Sequence, residues 1–371
     1  MDKTFRYLNL MKCGNFGFSL PRGSLINYMR IRMGHLNETI GENGSSFPLV
    51  SIMAAMRCNL KCSFCICGNF PGNWKDYEMT VPIMSHILTL NAVKKSLMIV
   101  FTGGEPTLNK NLPELMHMTR KEKHLIGMIS NGTLLENGLP EELASAGLCD
   151  AQISIYENTK ERLSKTFPKI SNLFSINASY VLLKSKLYDS QKNNFKDLIE
   201  MIKMCQETGC SSIKINLYQS QDIHNSQNPN NTELIFLNDP VYVQFIEQCK
   251  LHLRNINFTG YLCKASILTS RFTVFFPSPY TPIQPAMIEE NPERHCRLPW
   301  TLGTFNAQGN YGFCCGTSIE PEINNVFTHG EKIINSDKAC RIRKCLIDPK
   351  EPLAPECAKC VYLSGSYISD L

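Results

Sequence analysis

The sequence has no run of about eighteen consecutive apolar residues, the least that would cross a bilayer as a helix. Its first residues, MDKTFRYLNLMKCGNFGF, carry charge early and contain no apolar core followed by a small-residue cleavage site, so they lack the pattern of a secretory leader. The 38 Lys and Arg residues are scattered, and the net charge of +5 forms no run that would mark nucleic acid or a membrane surface as a partner. No internal repeat of fixed period occurs, which excludes a solenoid. These absences leave an ordinary globular chain, expected to be cytoplasmic.

Cysteine, by contrast, is abundant: 17 residues, an odd number. In a small secreted chain that density would mean disulfides, whereas clustered cysteines in a chain of this size more often hold metal or do redox chemistry. Four fall in MRCNLKCSFCICG (56–68) and seven lie from Cys296 onward; the six others are dispersed and read as buried small hydrophobes. With 371 residues, 43% of them hydrophobic and 19% charged, the chain can bury one large core or two medium ones.

FPLVSIMAAM (47–56) is a mostly apolar run that ends at the first cysteine motif and reads as a buried strand. Helix-like and strand-like segments then alternate: VPIMSHILTLNAVKK and LMIVFTGG, LPELMHMTRKEK and LIGMISNG, PEELASAG and DAQISIY. A helical 158–166 precedes SINASYVLL, and FKDLIEMIKMCQETG precedes SIKINLY. Six strands separated by helices predict a parallel sheet. The first strand has no obvious partner before residue 47, so the expected fold is α/β, a partial (β/α)6 barrel over residues 48–218. Chemistry in such sheets sits at the carboxyl ends of the strands, where the first cysteine motif falls.

Around this barrel, LPRGSLINYMRIRMG predicts one or two amphipathic helices in an N-terminal extension over residues 1–47. Residues 219–292 connect it onward. They open with an Asn- and Gln-rich loop or lid (219–238), continue with a helical stretch (239–254), and close with the Pro-rich FFPSPYTPIQPAMIEENPERHC. A small Cys-rich module follows over 293–371.

Cys58, Cys62 and Cys65 stand in a C-x3-C-x2-C frame. Three thiolates from one short loop can hold three irons of a cubane and leave the fourth iron open to an external ligand. Structural zinc would want a fourth protein ligand, and Cys67 stands too near Cys65 to make a good tetrahedral partner. CNLKCSFC resembles the C-x3-C-x-aromatic-C signature of the radical SAM superfamily. That resemblance implies a [4Fe-4S] cluster on Cys58, Cys62 and Cys65, S-adenosyl-L-methionine chelated by the open iron, and Phe64 near the adenine.

One strand on, FTGGEP (101–106) supplies Gly103 and Gly104, which lack a Cβ and so admit close backbone approach, and Glu105, an acceptor for an ammonium group. This resembles the family's GGE motif. Ser130 and Asn131 in SNG, and Ser154 in ISIY, stand at the next two strand ends, where the resemblance implies contacts to the ribose or carboxylate of the cofactor.

The later cysteines read CRLPWTLGTFNAQGNYGFCC (296–315), then Cys340 and Cys345, then CAKC (357–360). Two distant pairs meeting at one point is how a chain folds around a structural metal, and composition alone allows a four-cysteine zinc site. The spacing of Cys296, Gly309 and Cys314 resembles the opening of SPASM and Twitch modules; without the long cysteine run of a full SPASM module, it is more similar to Twitch. That resemblance implies one auxiliary [4Fe-4S] cluster on Cys296, Cys314, Cys357 and Cys360. Cys315 rivals Cys314, but adjacent residues of an extended segment point opposite ways, so one of the two faces the cluster. Cys340 and Cys345 lie in a helix-like segment and read as packing thiols, with a second auxiliary cluster as the alternative.

The resemblance implies an enzyme that takes an electron from a reductant such as flavodoxin or ferredoxin and cleaves S-adenosyl-L-methionine to a 5′-deoxyadenosyl radical. The radical then removes a substrate hydrogen. A four-thiolate cluster has no open iron, so it suits an electron acceptor and favours net dehydrogenation. The expected substrate is a small polyol, cyclitol or sugar, as in 2-deoxy-scyllo-inosamine dehydrogenase-like enzymes. A peptide-modifying enzyme forming a crosslink or epimer is the alternative, and a non-catalytic zinc-stabilised binding protein is the reading from another class. No carboxylate stands out as a general base.

Overall fold

The computed structural model describes residues 21, 23–65, 76–217, 233, 235, 239–253, 257–260, 272–276, 296–313 and 325–358. Strand β1 (Leu49–Ala55) shows how the fold is specified. Its Val50, Ile52 and Ala54 are fully buried, in one cluster with Met84 and Ile87 of the helix Val81–Thr89, while Ser51 and Met53 take the opposite face. Strands β2 (Met98–Gly103), β3 (Leu125–Ser130), β4 (Leu148–Ser154), β5 (Ser175–Leu182) and β6 (Ser212–Leu217) follow, with β3, β4 and β5 buried over most of their length.

All neighbours from β1 to β6 pair in parallel and in chain order. Each link between them contains a helix, which is what parallel pairing demands: Val81–Thr89, Leu112–Lys121, Leu139–Ala146, Lys160–Ile170 and Lys196–Glu207. The expected α/β architecture with an open, mostly parallel barrel-like sheet is therefore present.

The sheet reaches beyond the six expected strands to ten, in the order β10-β9-β1-β2-β3-β4-β5-β6-β8-β7. Strands β7 (Asn257–Gly260) and β8 (Thr273–Phe276) extend the β6 edge. At the other edge β1 does have a partner, which follows it in sequence: β9 (Leu302–Phe305) pairs in parallel, Leu49 with Leu302 and Ile52 with Phe305. β10 (Tyr311–Gly312) closes a hairpin on β9. Asn306 Oδ1 accepts from the Gln308 and Asn310 amides at 3.0 and 2.9 Å in that turn, and Gly309 takes φ +84°, which a side chain would resist. Segments of two to four residues carry too little alternation to be read from sequence.

The N-terminal helix (Ser24–Arg32) and the C-terminal helix (Asp337–Ile347) are tied to the barrel by polar clamps. Arg343 is completely buried and donates to the Glu38 carbonyl at 2.9 Å, Asn335 Oδ1 at 3.0 Å and the Ile334 carbonyl at 2.7 Å. Glu331 accepts from the Asn91 and Ala92 amides at 2.7 and 2.9 Å, capping the short helix Asn91–Lys94. Among the described residues no helix is long and apolar enough to cross a membrane.

Candidate functional site

The site begins where β1 ends. The next residues carry Cys58, Cys62 and Cys65 on a loop that turns back on itself, the Cys65 amide donating to the Cys62 carbonyl at 3.1 Å. All three cysteines are partly exposed. Burial pushes the Cys62 thiol above its ordinary range, hydrogen bonding with Tyr156 opposes this, and the neighbouring charges of Cys65 and Cys58 raise it further.

The GGE turn after β2 is joined directly to the root of this loop. The Gly104 amide donates to the Ala55 carbonyl and the Glu105 amide to the Arg57 carbonyl, both at 2.8 Å. Gly103 takes φ +124°, and a Cβ there would strike the Ala55 carbonyl; a Cβ on Gly104 would strike the Arg57 carbonyl, with the Met56 oxygen only 2.8 Å away. These glycines hold backbone against backbone. Arg57 donates to the Leu108 carbonyl at 2.9 Å and pairs with Glu78, while Asn109 donates to the carbonyls of Ala54 and Met79 at 2.8 and 2.9 Å. The root of the cysteine loop is thus fixed from three sides.

Glu105, expected as an acceptor for an ammonium group, is completely buried and its oxygens accept from the protein itself. Oε1 accepts from the Thr107 amide (3.1 Å), the Thr107 hydroxyl (2.5 Å) and the Ser130 hydroxyl (2.8 Å); Oε2 accepts from the Asn131 amide at 2.7 Å. It ties the end of β2 to the end of β3. Asn131 continues the chain of contacts toward the cysteines, its Nδ2 donating to Asn59 Oδ1 at 2.8 Å and lying 3.6 Å from Cys58 Sγ. Cys58 Sγ also receives the Leu60 amide at 3.4 Å.

Ser154 closes β4, and Tyr156, two residues beyond it, comes against the cysteine loop. The Tyr156 ring packs on Phe64 with centroids 5.9 Å apart. Burial first, and then the charge of Cys62, push the Tyr156 phenol well above its ordinary range, so it keeps its proton. Gly104, Glu105 and Asn131 are thus hydrogen-bonded to the cysteine loop or its root, Ser130 joins them through Glu105, Gly103 lies against Ala55, Phe64 of the loop packs on Tyr156, and Ser154 stands at the neighbouring strand end. Arg57, Asn109 and Tyr156 belong to this assembly as well and carried no motif. Tyr156 stands two residues after Ser154, and the period of two that places side chains on one strand face is the signal that could have found it.

No three His, Cys, Asp or Glu side chains among the described residues converge on a point for a single metal ion. A cubane makes a different demand, one thiolate on each of three separate irons, and three thiols from one loop, Cys58 among them served by two hydrogen-bond donors, fit it. In the C-terminal region Cys296 and Cys357 pack half-buried against the core. Cys314 and Cys360 lie outside the described residues, as do Cys67 and Cys315. Cys345 is buried on the helix Asp337–Ile347, donating to the Ile342 carbonyl at 3.2 Å and receiving the Ala354 amide at 3.4 Å. Cys340, on the same helix, donates to the Asn335 carbonyl at 3.5 Å. Both contacts suit packing thiols.

Residues 54–219 match the model of the radical SAM superfamily, and the chain accordingly contains a radical SAM domain. The cofactors of such a domain are S-adenosylmethionine and a [4Fe-4S] cluster. A GTP 3',8-cyclase of Chlorobaculum tepidum is 23% identical over 236 residues, 63% of either chain. A probable GTP 3',8-cyclase of Methanocaldococcus jannaschii is 29% identical over 178 residues, 45% of this chain and 57% of that one. The chain thus spans about three fifths of these curated relatives. The fold is shared with Streptococcus suis SuiB bound to S-adenosylmethionine, at TM-score 0.56 and 15% identity, over 95% of this chain and 77% of that one.

Proposed function

We propose that the protein is a radical SAM enzyme that oxidises a small polyol, cyclitol or sugar. The observation that carries this reading is the joining of the cysteine loop to the GGE and SNG strand ends by hydrogen bonds, and to the ISIY end by the packing of Phe64 on Tyr156. Cys58, Cys62 and Cys65 would hold the [4Fe-4S] cluster, with Phe64, Gly103, Gly104, Ser130, Asn131 and Ser154 around S-adenosylmethionine and Glu105 holding the β2 and β3 ends in register. Together the bound cofactors supply a 5′-deoxyadenosyl radical, given one electron from a reductant such as flavodoxin or ferredoxin. Cys296, Cys314, Cys357 and Cys360 would hold an auxiliary [4Fe-4S] cluster that takes up the electron left by substrate oxidation.

A polar substrate is supported by the sheet face turned away from the helices. There the register sets Ser154 beside Ser179 and Ser179 beside Lys214, and Asn216 donates to the Ser179 hydroxyl at 2.9 Å. Ala151, Ile153, Ala178, Ile213 and Ile215 fill the opposite, core face of the same strands. A wall of hydroxyl, amide and ammonium groups suits a polyhydroxylated molecule, which brings its own donors and acceptors. The substrate named for the curated relatives, GTP, also carries a sugar.

The test is anaerobic reconstitution of the wild type and of a Cys58→Ala, Cys62→Ala, Cys65→Ala triple variant, with iron, sulfide and 5′-deoxyadenosine measured. About eight irons per chain falling to about four, with 5′-deoxyadenosine lost, is the expected result. Carbon-deuterated polyols and sugars should then pass deuterium into the 5′-deoxyadenosine. Zinc in place of iron, with no cleavage in either protein, would refute the proposal; deuterium transfer from peptides alone would refute the substrate class.

A further inference from the structure

The turn over 130–133, which follows β3, is gripped on two faces. Toward the cysteine loop it closes a ring of hydrogen bonds: Asn59 Nδ2 donates to the Thr133 hydroxyl at 2.7 Å, that hydroxyl donates to Asn131 Oδ1 at 2.6 Å, and Asn131 Nδ2 donates to Asn59 Oδ1 at 2.8 Å. The Thr133 amide is a second donor to Asn131 Oδ1, at 2.9 Å. Each side chain in the ring gives one bond and takes one, so each donor polarises the next. Asn59 lies between Cys58 and Cys62, and the ring therefore ties the turn to the loop through side chains of both.

From behind, the helix Lys160–Ile170 reaches the same turn. Arg162 Nη1 donates to the Gly132 carbonyl at 2.5 Å, and Gly132, at φ +69°, presses so close that a Cβ there would lie 2.8 Å from Ile153 Cγ2 and 3.3 Å from Leu163 Cδ2. Arg162 Nη2 is buried and has no acceptor among the described residues, so the guanidinium holds the turn through this one carbonyl. We propose that Arg162 and Thr133 are positioning residues for S-adenosylmethionine, which fix the turn against the cysteine loop before the cofactor arrives and so set how tightly it binds. The inference rests on the function proposed above. Its physical basis is preorganisation: a turn already held need not be ordered on binding, and that cost no longer weakens the complex.

Arg162→Met removes the donor behind the turn, Thr133→Val keeps the side-chain shape and opens the ring, and Arg162→Lys puts back the single donor that the turn uses. Each full-length chain is reconstituted anaerobically, its iron and sulfide are counted, and binding of S-adenosylmethionine is measured by equilibrium dialysis. Formation of 5′-deoxyadenosine is then followed against S-adenosylmethionine concentration. All three variants are expected to load as much iron as the wild type. In Arg162→Met and Thr133→Val the Kd and KM for S-adenosylmethionine should rise about tenfold, the equivalent of one hydrogen bond, with kcat held within about twofold. Arg162→Lys should recover most of that loss; a lysine no better than methionine overturns the hydrogen-bond basis. A fully loaded Arg162→Met chain with unshifted Kd and KM overturns the inference, and should that variant fail to fold or load, an unshifted Thr133→Val chain overturns it instead. A wild type that binds no iron or no S-adenosylmethionine overturns the proposed function and this inference with it, whereas a wild type that binds and cleaves S-adenosylmethionine beside unshifted variants overturns the inference alone.

Discussion

Glu105→Gln isolates what the buried carboxylate contributes. The glutamate accepts three hydrogen bonds on Oε1 and one, from the Asn131 amide at 2.7 Å, on Oε2. Glutamine has the same shape but offers one oxygen and one NH2. With its oxygen kept on the crowded side, the NH2 points at the Asn131 N–H, donor against donor; flipped, it faces the Thr107 N–H, and the Thr107 and Ser130 hydroxyls must turn to accept from it. The better arrangement forfeits one hydrogen bond to a charged acceptor, about 1.5–3 kcal/mol, and leaves a buried N–H unpaired, so the net cost is about 2–4 kcal/mol. At an m-value of about 3 kcal/mol/M the urea midpoint falls by roughly 1 M. The assay is urea unfolding of the apo-protein followed by circular dichroism. Glu105→Ala, which abandons all four donors, is expected to fall further. A Gln variant whose midpoint stays within about 0.2 M of the wild type would show that the carboxylate does not hold the β2 and β3 ends together.

Gly104→Ala sets a methyl against the Arg57 and Met56 backbone at the root of the cysteine loop, where no flexible side chain can yield. Overpacking of this kind costs about 1–3 kcal/mol, and the displaced loop should bind less iron on reconstitution; normal iron content with unchanged stability would refute the packing argument. His124 predicts a pH dependence. Burial lowers its pKa from the ordinary 6.5, only partly opposed by the 2.7 Å contact of Nδ1 with the Ser96 carbonyl. The unfolded chain therefore takes up this proton first, so the His124 contribution is intact above about pH 6.5 and is lost as pH falls from there toward the lower folded value. Urea midpoints at pH 7.5 and 5.5 should differ more for the wild type than for His124→Gln, and equal differences would show that His124 does not titrate this way.

The six central strands were legible because each is a largely buried stretch of six to eight residues between helices of about two to three turns. The cysteine loop was legible because the spacing of its cysteines is local, and the placing of Gly103, Gly104, Ser130, Asn131 and Ser154 at the same end of the sheet follows because parallel β/α order puts every carboxyl end on one side. What local pattern cannot supply is pairing at a distance. β9 has four residues and β10 two, and their place beside β1 is decided by tertiary packing of Phe305 and Tyr311, both fully buried. Glu105 illustrates the same limit at the site. Its sequence neighbours suggest an outward acceptor, yet donors from Thr107 and from the end of β3 surround it. Tyr156 escaped notice because a tyrosine after a strand has many uses, and its role depends on a loop nearly a hundred residues earlier.

The pairing of β9 with β1 also bears on how the chain is born. A ribosome completes β1 early, but the strand that covers its outer edge is synthesised roughly 250 residues later, which at about 5–20 residues per second is about 12–50 s. Through that interval the root of the cysteine loop hangs from an uncovered strand edge, a surface open to pairing with other chains. Truncation before Leu302 should therefore leave a sheet prone to self-association.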